Sequence, residues 1–314
     1  MPNAVIYHDT PIASAVAEAT DDLTVVAAES DADVRDHLAD ADVFVTNPQN
    51  WTDDFLAFLS TGTWIQSTSI GYDAFPLEAF ADRDVAFTNA ETLHDTTVSE
   101  HAFALAFALS RRLGPLFDNQ RRGDWDRRVG DEMWLWEGRR MTVFGLGNIG
   151  ESVARRARAF GFEVYGVKRT PAIYSGVLPP DRVVATERFH DLLPETELLV
   201  LTVPLTDETH HAVDTSVFDA LPDSAALINV ARGPVVDQDA LVDALETGEI
   251  RGAGLDVFEA EPLPEDSPLW GRDDTVVTPH VGGRSDDFAT RFTRLFLDNY
   301  RRWRAGESLA NRII

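Results

Sequence analysis

The run Thr142-Val143-Phe144-Gly145-Leu146-Gly147-Asn148-Ile149-Gly150 constrains this chain more than any other segment. A short apolar stretch enters a Gly-x-Gly-x-x-Gly turn, which predicts a strand, a tight turn and the start of a helix. The first glycine permits the turn, and the second lets the backbone approach a pyrophosphate. The third lets helix and strand pack closely, and the helix N-terminus attracts the anion. About 20 residues on, after the second strand, an acid ordinarily grips an unphosphorylated ribose. Here the strand at 162–167 runs instead into Lys168-Arg169-Thr170. Two cations stand where the 2'-phosphate of NADP would sit, so NADP(H) is the expected cofactor, with residual use of NAD(H).

The rest of the chain alternates in the same way. Short apolar runs at 4–7, 24–27, 43–46, 64–66 and 85–88 read as strands, separated by helical patterns at 11–19, 31–39 and 53–59. A long apolar helix is expected over 98–113, followed by an irregular Arg- and Trp-rich stretch at 121–139. A second series of strands follows at 140–144, 163–168, 198–201, 226–229, 252–257 and 275–278. The tail spaces Phe288, Phe292, Leu295, Phe296, Tyr300 and Trp303 as one helical stripe over 285–304, which needs a surface to bury against. The N-terminal sheet is the expected partner. Strand–helix alternation of this kind implies doubly wound parallel sheets. Two domains are expected, residues 1–98 with 284–314 and residues 99–283, with a ligand cleft between them at the carboxyl ends of strands.

Composition narrows the setting. The 314 residues are 44% hydrophobic, enough for real cores, and contain no cysteine, which removes disulfide and thiolate chemistry. The start lacks the pattern of a signal peptide, and the most apolar stretch, 102–109, is far short of the roughly 18 residues of a membrane span. A cytoplasmic location is expected. Net charge is −26, and Lys168 is the only lysine among 27 basic residues. Such a surface repels itself in dilute buffer and is tolerated near 1 M salt, where the Debye length is about 3 Å. A salt-adapted protein is expected, and with no basic patch nucleic acid is not an expected partner.

Four later segments fall at strand ends: Thr202-Val203-Pro204-Leu205-Thr206, Asn229-Val230-Ala231-Arg232-Gly233, Asp256-Val257-Phe258-Glu259-Ala260-Glu261-Pro262 and Thr278-Pro279-His280-Val281-Gly282-Gly283. Arg232 ends an apolar strand beside a glycine, where its planar fork can bind a carboxylate bidentately. His280 follows Thr-Pro, which restricts the backbone before it, and histidine carries the proton that moves near neutral pH. An acid behind the ring would favour imidazolium, and Glu259, Glu261 and Glu265 are all close enough in sequence to supply it.

With the glycine loop, this ordered set resembles the D-isomer-specific 2-hydroxyacid dehydrogenases, and the resemblance covers essentially the whole chain. It includes Ser69-Ile70-Gly71-Tyr72-Asp73 and Val98-Ser99-Glu100-His101. It implies a flavodoxin-like substrate domain and a Rossmann cofactor domain. The family's acid stands immediately before the proline, which selects Glu261 as the partner of His280. Arg232 and the backbone N–H groups around Ile70 and Gly71 would hold the carboxylate of a 2-keto acid. His280 would protonate the carbonyl oxygen as hydride arrives. The implied cofactor site comprises Gly145, Leu146, Gly147, Asn148, Ile149, Gly150, Lys168, Arg169, Thr170, Val203, Pro204, Thr209, Val230, Ala231, Arg232, Asp256, His280 and Gly282, with Asp256 accepting from the nicotinamide carboxamide. Thr209 would bond the ribose or phosphate. The stretch 125–136 would form a dimer arm, giving a homodimer through the cofactor domain.

Trp51, Tyr72, Phe75 and Trp270 are candidates for the wall around the substrate's C3 group. Formate dehydrogenases typically carry glutamine where Glu261 stands, and phosphoglycerate dehydrogenases often add a regulatory domain for which this chain has no residues. A glyoxylate or hydroxypyruvate reductase is the close alternative to a broad 2-keto acid reductase. Corepressors of similar fold act by binding alone, and oxidation of NADPH by a 2-keto acid separates them from an enzyme.

Overall fold

In the computed structural model, which describes residues 1–8 and 10–314, the chain divides into two units, Met1–His94 with Arg284–Ile314 and Asp95–Gly283. The first unit contains β1 (Asn3–Tyr7), α1 (Ile12–Ala19), β2 (Thr24–Ala28), α2 (Asp31–Leu38), β3 (Val43–Thr46), β4 (Trp64–Ser67), α3 (Leu77–Ala81) and β5 (Ala86–Thr88). Its strands are all parallel, in the order β2-β1-β3-β4-β5, the flavodoxin-like arrangement.

Side chains alternate across each strand, so each buries residues on both faces. Ala4, Ile6, Val43, Val45 and Trp64 face α1 and the C-terminal helix, Phe288–Arg304. Val5, Phe44, Ile65 and Phe87 face Val34, Leu38, Phe55 and Phe80. The aromatic stripe of the tail buries against the N-terminal sheet as its spacing requires. Phe296 stacks on Trp64 with centroids 5.4 Å apart, and the Tyr300 hydroxyl donates to Asp22 O at 2.8 Å. Leu297 is buried with the stripe, whereas Leu295 is only half-buried.

The second unit contains α4 (Asp95–Ser110), α5 (Leu113–Arg122), β6 (Arg140–Phe144), α6 (Asn148–Ala159), β7 (Glu163–Val167), β8 (Val183–Val184), β9 (Leu198–Leu201), α7 (Thr215–Ala220), β10 (Ala226–Asn229), α8 (Gln238–Thr247), β11 (Gly252–Leu255) and β12 (Thr275–Val277). Seven parallel strands run β12-β11-β10-β9-β6-β7-β8, so the order reverses between β6 and β9. That reversal is the switch point outside which doubly wound sheets bind ligands. Helices α4 and α6 cover one face through Ala102, Leu105, Val153 and Ala157, and α7 and α8 cover the other through Phe218, Leu241 and Leu245. Gly254 lets α4 lie directly on β11, since a Cβ there would stand 2.8 Å from the Leu105 Cβ.

Three local expectations are corrected. Residues 53–59 form only a short 3-10 turn, Asp53–Ala57, because Phe55 must turn into the core. The helix expected over 98–113 begins at Asp95 and ends at Ser110, where Arg112 takes a left-handed backbone with φ of 53°. A second helix, Leu113–Arg122, then carries regular structure two residues into the stretch expected to be irregular, with Pro115 in the first turn where its missing N–H costs nothing. No helix of the described residues is long and apolar enough to cross a membrane.

Candidate active site

Six strand ends of the second unit carry the candidate groups. After β6, Gly145 takes a φ of 108° that L side chains rarely adopt, and a Cβ on it would meet Thr202 C at 2.9 Å. A Cβ on Gly150 would run into the Gly145 carbonyl, so the helix can start this close to the strand only with glycine there. Gly147 differs, because a Cβ on it would meet no protein atom within 4 Å. Nothing in the fold requires glycine at that position, and the open space above it is what a pyrophosphate needs. The residues present therefore fit a dinucleotide. Helix α6 starts beside this space with no side-chain cap, so its N-terminal dipole is not masked by a capping oxygen.

The loop after β9 borders the glycine turn, where the Thr202 hydroxyl donates to Gly145 O at 2.7 Å. Val203 is half-buried against Gly145, and Pro204 is exposed. The Thr209 hydroxyl donates to Pro204 O at 2.6 Å and accepts from Thr206 N at 2.8 Å. Its proton is given to its own loop. At the end of β7 the Lys168 ammonium donates to Leu146 O at 2.7 Å, which ties it into the glycine turn. Arg169 and Thr170 are exposed. Glu208 is held below its ordinary pKa, first by the Thr206 hydroxyl and least by the charge of Arg169.

After β10, buried Asn229 folds the chain around its own amide, accepting from Ala231 N at 3.0 Å and donating to Arg232 O at 3.0 Å. Val230 and Ala231 are buried, while the Arg232 guanidinium reaches back to Ala231 O at 2.7 Å. A Cβ on Gly233 would collide with the Phe258 carbonyl. The turn carrying Arg232 is thus pressed against the loop carrying Glu261.

Glu261 accepts from Phe258 N at 3.1 Å through Oε1 and pairs with His280 Nδ1 at 2.8 Å through Oε2. Burial alone would raise the Glu261 pKa. The bond and charge of His280, the Phe258 N–H and the charge of Arg232 outweigh it and hold the carboxyl below its ordinary value. Of the three acids that sequence spacing left open, Glu261 is the one paired with His280. Glu259 pairs instead with His211 at 2.8 Å. Because a carboxylate only accepts, Nδ1 carries the hydrogen in this pair and Nε2 is the nitrogen left for another partner.

His280 itself is a left-handed residue with φ of 52°, fixed by its N–H on Asp256 O at 2.8 Å. The buried Asp256 carboxylate accepts from the Thr278 hydroxyl at 2.6 Å, Val281 N at 3.0 Å and Gly282 N at 2.8 Å, and His101 Nε2 lies 3.2 Å away. Burial would raise its pKa, but His101 first, then Thr278 and the two N–H groups, hold it low. Thr278, Val281 and His101 fall on Oδ1, and Gly282 N on Oδ2. Sequence reasoning gave His101 and Thr278 no role; their signals are the Val98–His101 run and the Thr278-Pro279-His280 segment.

Ile70 and Gly71 lie in the first unit, after β4, in a loop pinned by Asn89 Nδ2 on Ile70 O at 2.8 Å. Phe75, expected in a substrate wall, belongs to the core. It is 6% exposed and packs on Trp51, Phe80 and Phe87. Tyr72 and Trp270 are exposed.

Residues 103–282 match the model of the D-isomer specific 2-hydroxyacid dehydrogenase NAD binding domain. The glyoxylate/hydroxypyruvate reductase B of Yersinia pestis (strain Pestoides F) is 34% identical over 255 residues, 78% of this chain and 76% of its own length. A D-isomer specific 2-hydroxyacid dehydrogenase family protein of Aeromonas salmonicida superposes with a TM-score of 0.87 at 30% identity, covering 100% of this chain and 99% of its own. Another, from Xanthobacter autotrophicus Py2 in complex with NADPH and MES, superposes at 0.80 with 29% identity over 100% and 98% of the two chains. The chain belongs to the D-isomer-specific 2-hydroxyacid dehydrogenase family. It is accordingly an oxidoreductase built to bind a nicotinamide cofactor.

Proposed function

We propose that the protein reduces a small 2-keto acid to the D-2-hydroxy acid with NADPH, glyoxylate or hydroxypyruvate being the first substrates to try. The observation that carries this reading is the His280–Glu261 pair at 2.8 Å, with the Arg232 turn packed against the same loop. The glycine turn, Lys168 and Arg169 hold the dinucleotide, which when bound supplies the hydride to the substrate's C2. Arg232 binds the substrate carboxylate bidentately and polarises the neighbouring carbonyl. Imidazolium His280 delivers the Nε2 proton to the carbonyl oxygen. Glu261, kept ionised, orients the ring through Nδ1 and stabilises its positive charge. The neutral imidazole then takes a proton from solvent. The names of the Yersinia relatives favour two- and three-carbon substrates. The test is oxidation of NADPH by glyoxylate, hydroxypyruvate, pyruvate and longer 2-keto acids in molar salt, and turnover with none of them would overturn the reading.

NADP preference is supported by the basic pair at the end of β7 and by the NADPH bound to the Xanthobacter protein. Each bond to a charged group contributes roughly 1.5–3 kcal/mol, about tenfold to a hundredfold in affinity. Lys168→Asp restores an acid at the ribose and is expected to lower the ratio of kcat/KM for NADPH over NADH by at least about tenfold. Equal kcat/KM for both cofactors in the unmodified protein would count against the preference.

In Glu261→Gln the ring keeps a hydrogen-bond partner but loses the negative charge that favours imidazolium. The kcat for reduction is expected to fall by about tenfold or more, the scale of one bond to a charged group, with KM for NADPH nearly unchanged, and an undiminished kcat removes Glu261 as the ring's partner.

A homodimer through the second unit is supported by Trp125, 93% exposed, and Leu135, 67% exposed, on a stretch whose other tryptophans, Trp134 and Trp136, pack on the unit's own core. Salt adaptation is supported by the charge of −26 carried with a single lysine. The melting temperature is expected to rise from dilute buffer to molar KCl, and an unchanged value removes the idea.

A further inference from the structure

We infer that His101 is a positioning residue for His280, acting through Thr278 and Asp256 to hold the loop that presents the proton donor. The inference rests on the proposed role of His280, but its geometry is independent of that role. His101 lies in the second turn of α4, and α4 is seated on β11 by the contact of Leu105 with Gly254. Its Nε2 lies 2.8 Å from Thr278 Oγ1 and 3.2 Å from Asp256 Oδ1. The Thr278 hydroxyl gives its own proton to Asp256 at 2.6 Å, and a carboxylate has none to give. Both neighbours are therefore acceptors, and Nε2 must carry the hydrogen.

What this hydrogen holds is unusually concentrated. The Asp256 side chain, 4% exposed, takes donors from Thr278, Val281 and Gly282, and its carbonyl takes the N–H of His280. A single residue thus grips the chain immediately before, at and after the left-handed His280. Gly282 completes the cradle, because a Cβ there would stand 2.8 Å from Asp256 Oδ2 and 3.3 Å from His101 Cδ2. A side chain could enter only by separating the carboxylate from the imidazole. A buried carboxylate with one donor removed is poorly solvated and shifts to find another. Loss of the His101 hydrogen therefore frees Asp256 to turn, and the three loop donors turn with it. The bonds that lead from His101 to His280 run through Thr278 and Asp256, so its effect on catalysis passes through the backbone of residues 278–282.

The test compares His101→Leu, which removes the donor, with His101→Gln, whose amide N–H can reach the same two oxygens. Thr278→Val removes the intermediate hydroxyl at nearly constant shape. Two quantities are measured on the full chain in molar salt: amide hydrogen exchange of residues 278–283 without substrate, and kcat and KM for NADPH-dependent reduction. His101→Leu and Thr278→Val are expected to speed exchange at Val281 and Gly282 by about tenfold or more, the scale of one lost bond to a charged group. They are also expected to lower kcat by a similar factor, with KM for NADPH and the melting temperature nearly unchanged. His101→Gln is expected to restore both. Unchanged exchange at Val281 and Gly282 in His101→Leu overturns the inference, even if kcat falls. Faster exchange in a protein that reduces no 2-keto acid supports the positioning network and overturns the proposed reaction instead. Loss of kcat that His101→Gln fails to rescue, with exchange restored, also overturns the link from loop to catalysis.

Discussion

His280→Ala is expected to lower kcat for 2-keto acid reduction by about 10²–10⁴-fold, the usual contribution of a positioned general acid, while NADPH still binds. The expectation follows from how the ring is held. Nδ1 faces Glu261 at 2.8 Å, so Nε2 is the end that can meet a substrate oxygen. Without the ring, the proton must come from water, and the charge developing on that oxygen loses its nearest donor. One structural complication needs its own variant. His280 sits at φ of 52°, where alanine is strained and asparagine is tolerated comparatively well. His280→Asn therefore separates loss of the acid from loss of the loop conformation. Both variants should fall to similar rates in single-turnover NADPH oxidation, with NADPH affinity by calorimetry within a few-fold of the parent. Near-normal turnover in either would remove His280 as the proton donor.

Much of this arrangement was legible in the sequence because it rests on local requirements. The glycine turn is readable since Gly145 needs a left-handed φ and Gly150 needs contact with the Gly145 carbonyl, both within six residues. The alternation Val43-Phe44-Val45 is readable since a doubly covered parallel strand buries both faces. The tail stripe is readable since helical spacing puts Phe292, Phe296 and Tyr300 on one side. What escaped depends on partners distant in the chain. Spacing left three acids open for His280, and only the folded loop shows Glu259 turned to His211 and Glu261 to the ring. The donors that surround Asp256 were not readable because they come from residues 22–26 positions later and from His101 on another element. Phe75 looked like a pocket wall because an aromatic after a glycine-containing loop carries no mark of whether it turns inward. The break at Arg112 lacks any glycine or proline at the turn itself. The apolar run ahead of it gave no reason to stop.

Arg232→Ala is expected to lower kcat/KM for the keto acid by about 10²–10⁴-fold, and to leave NADPH affinity and the melting temperature almost unmoved. Two charge-assisted bonds to the substrate carboxylate, each roughly 1.5–3 kcal/mol, set that scale. The fold should tolerate the change, because the turn is held by its backbone. Asn229 donates to the carbonyl of residue 232, and neighbouring Gly233 is what packs on Phe258. Arg232→Lys should recover little, since an ammonium keeps the charge but cannot form the planar fork that grips a carboxylate and its adjacent carbonyl together. The variant has a second signature. Arg232 is one of the groups that keep Glu261 ionised, so its removal lets the Glu261 pKa rise toward the ordinary value and weakens the acid limb of the profile. Rates across pH in Arg232→Ala should therefore fall off at higher pH on the acid side than in the parent. If the keto acid KM and kcat both stay within threefold of the parent, Arg232 does not hold the substrate.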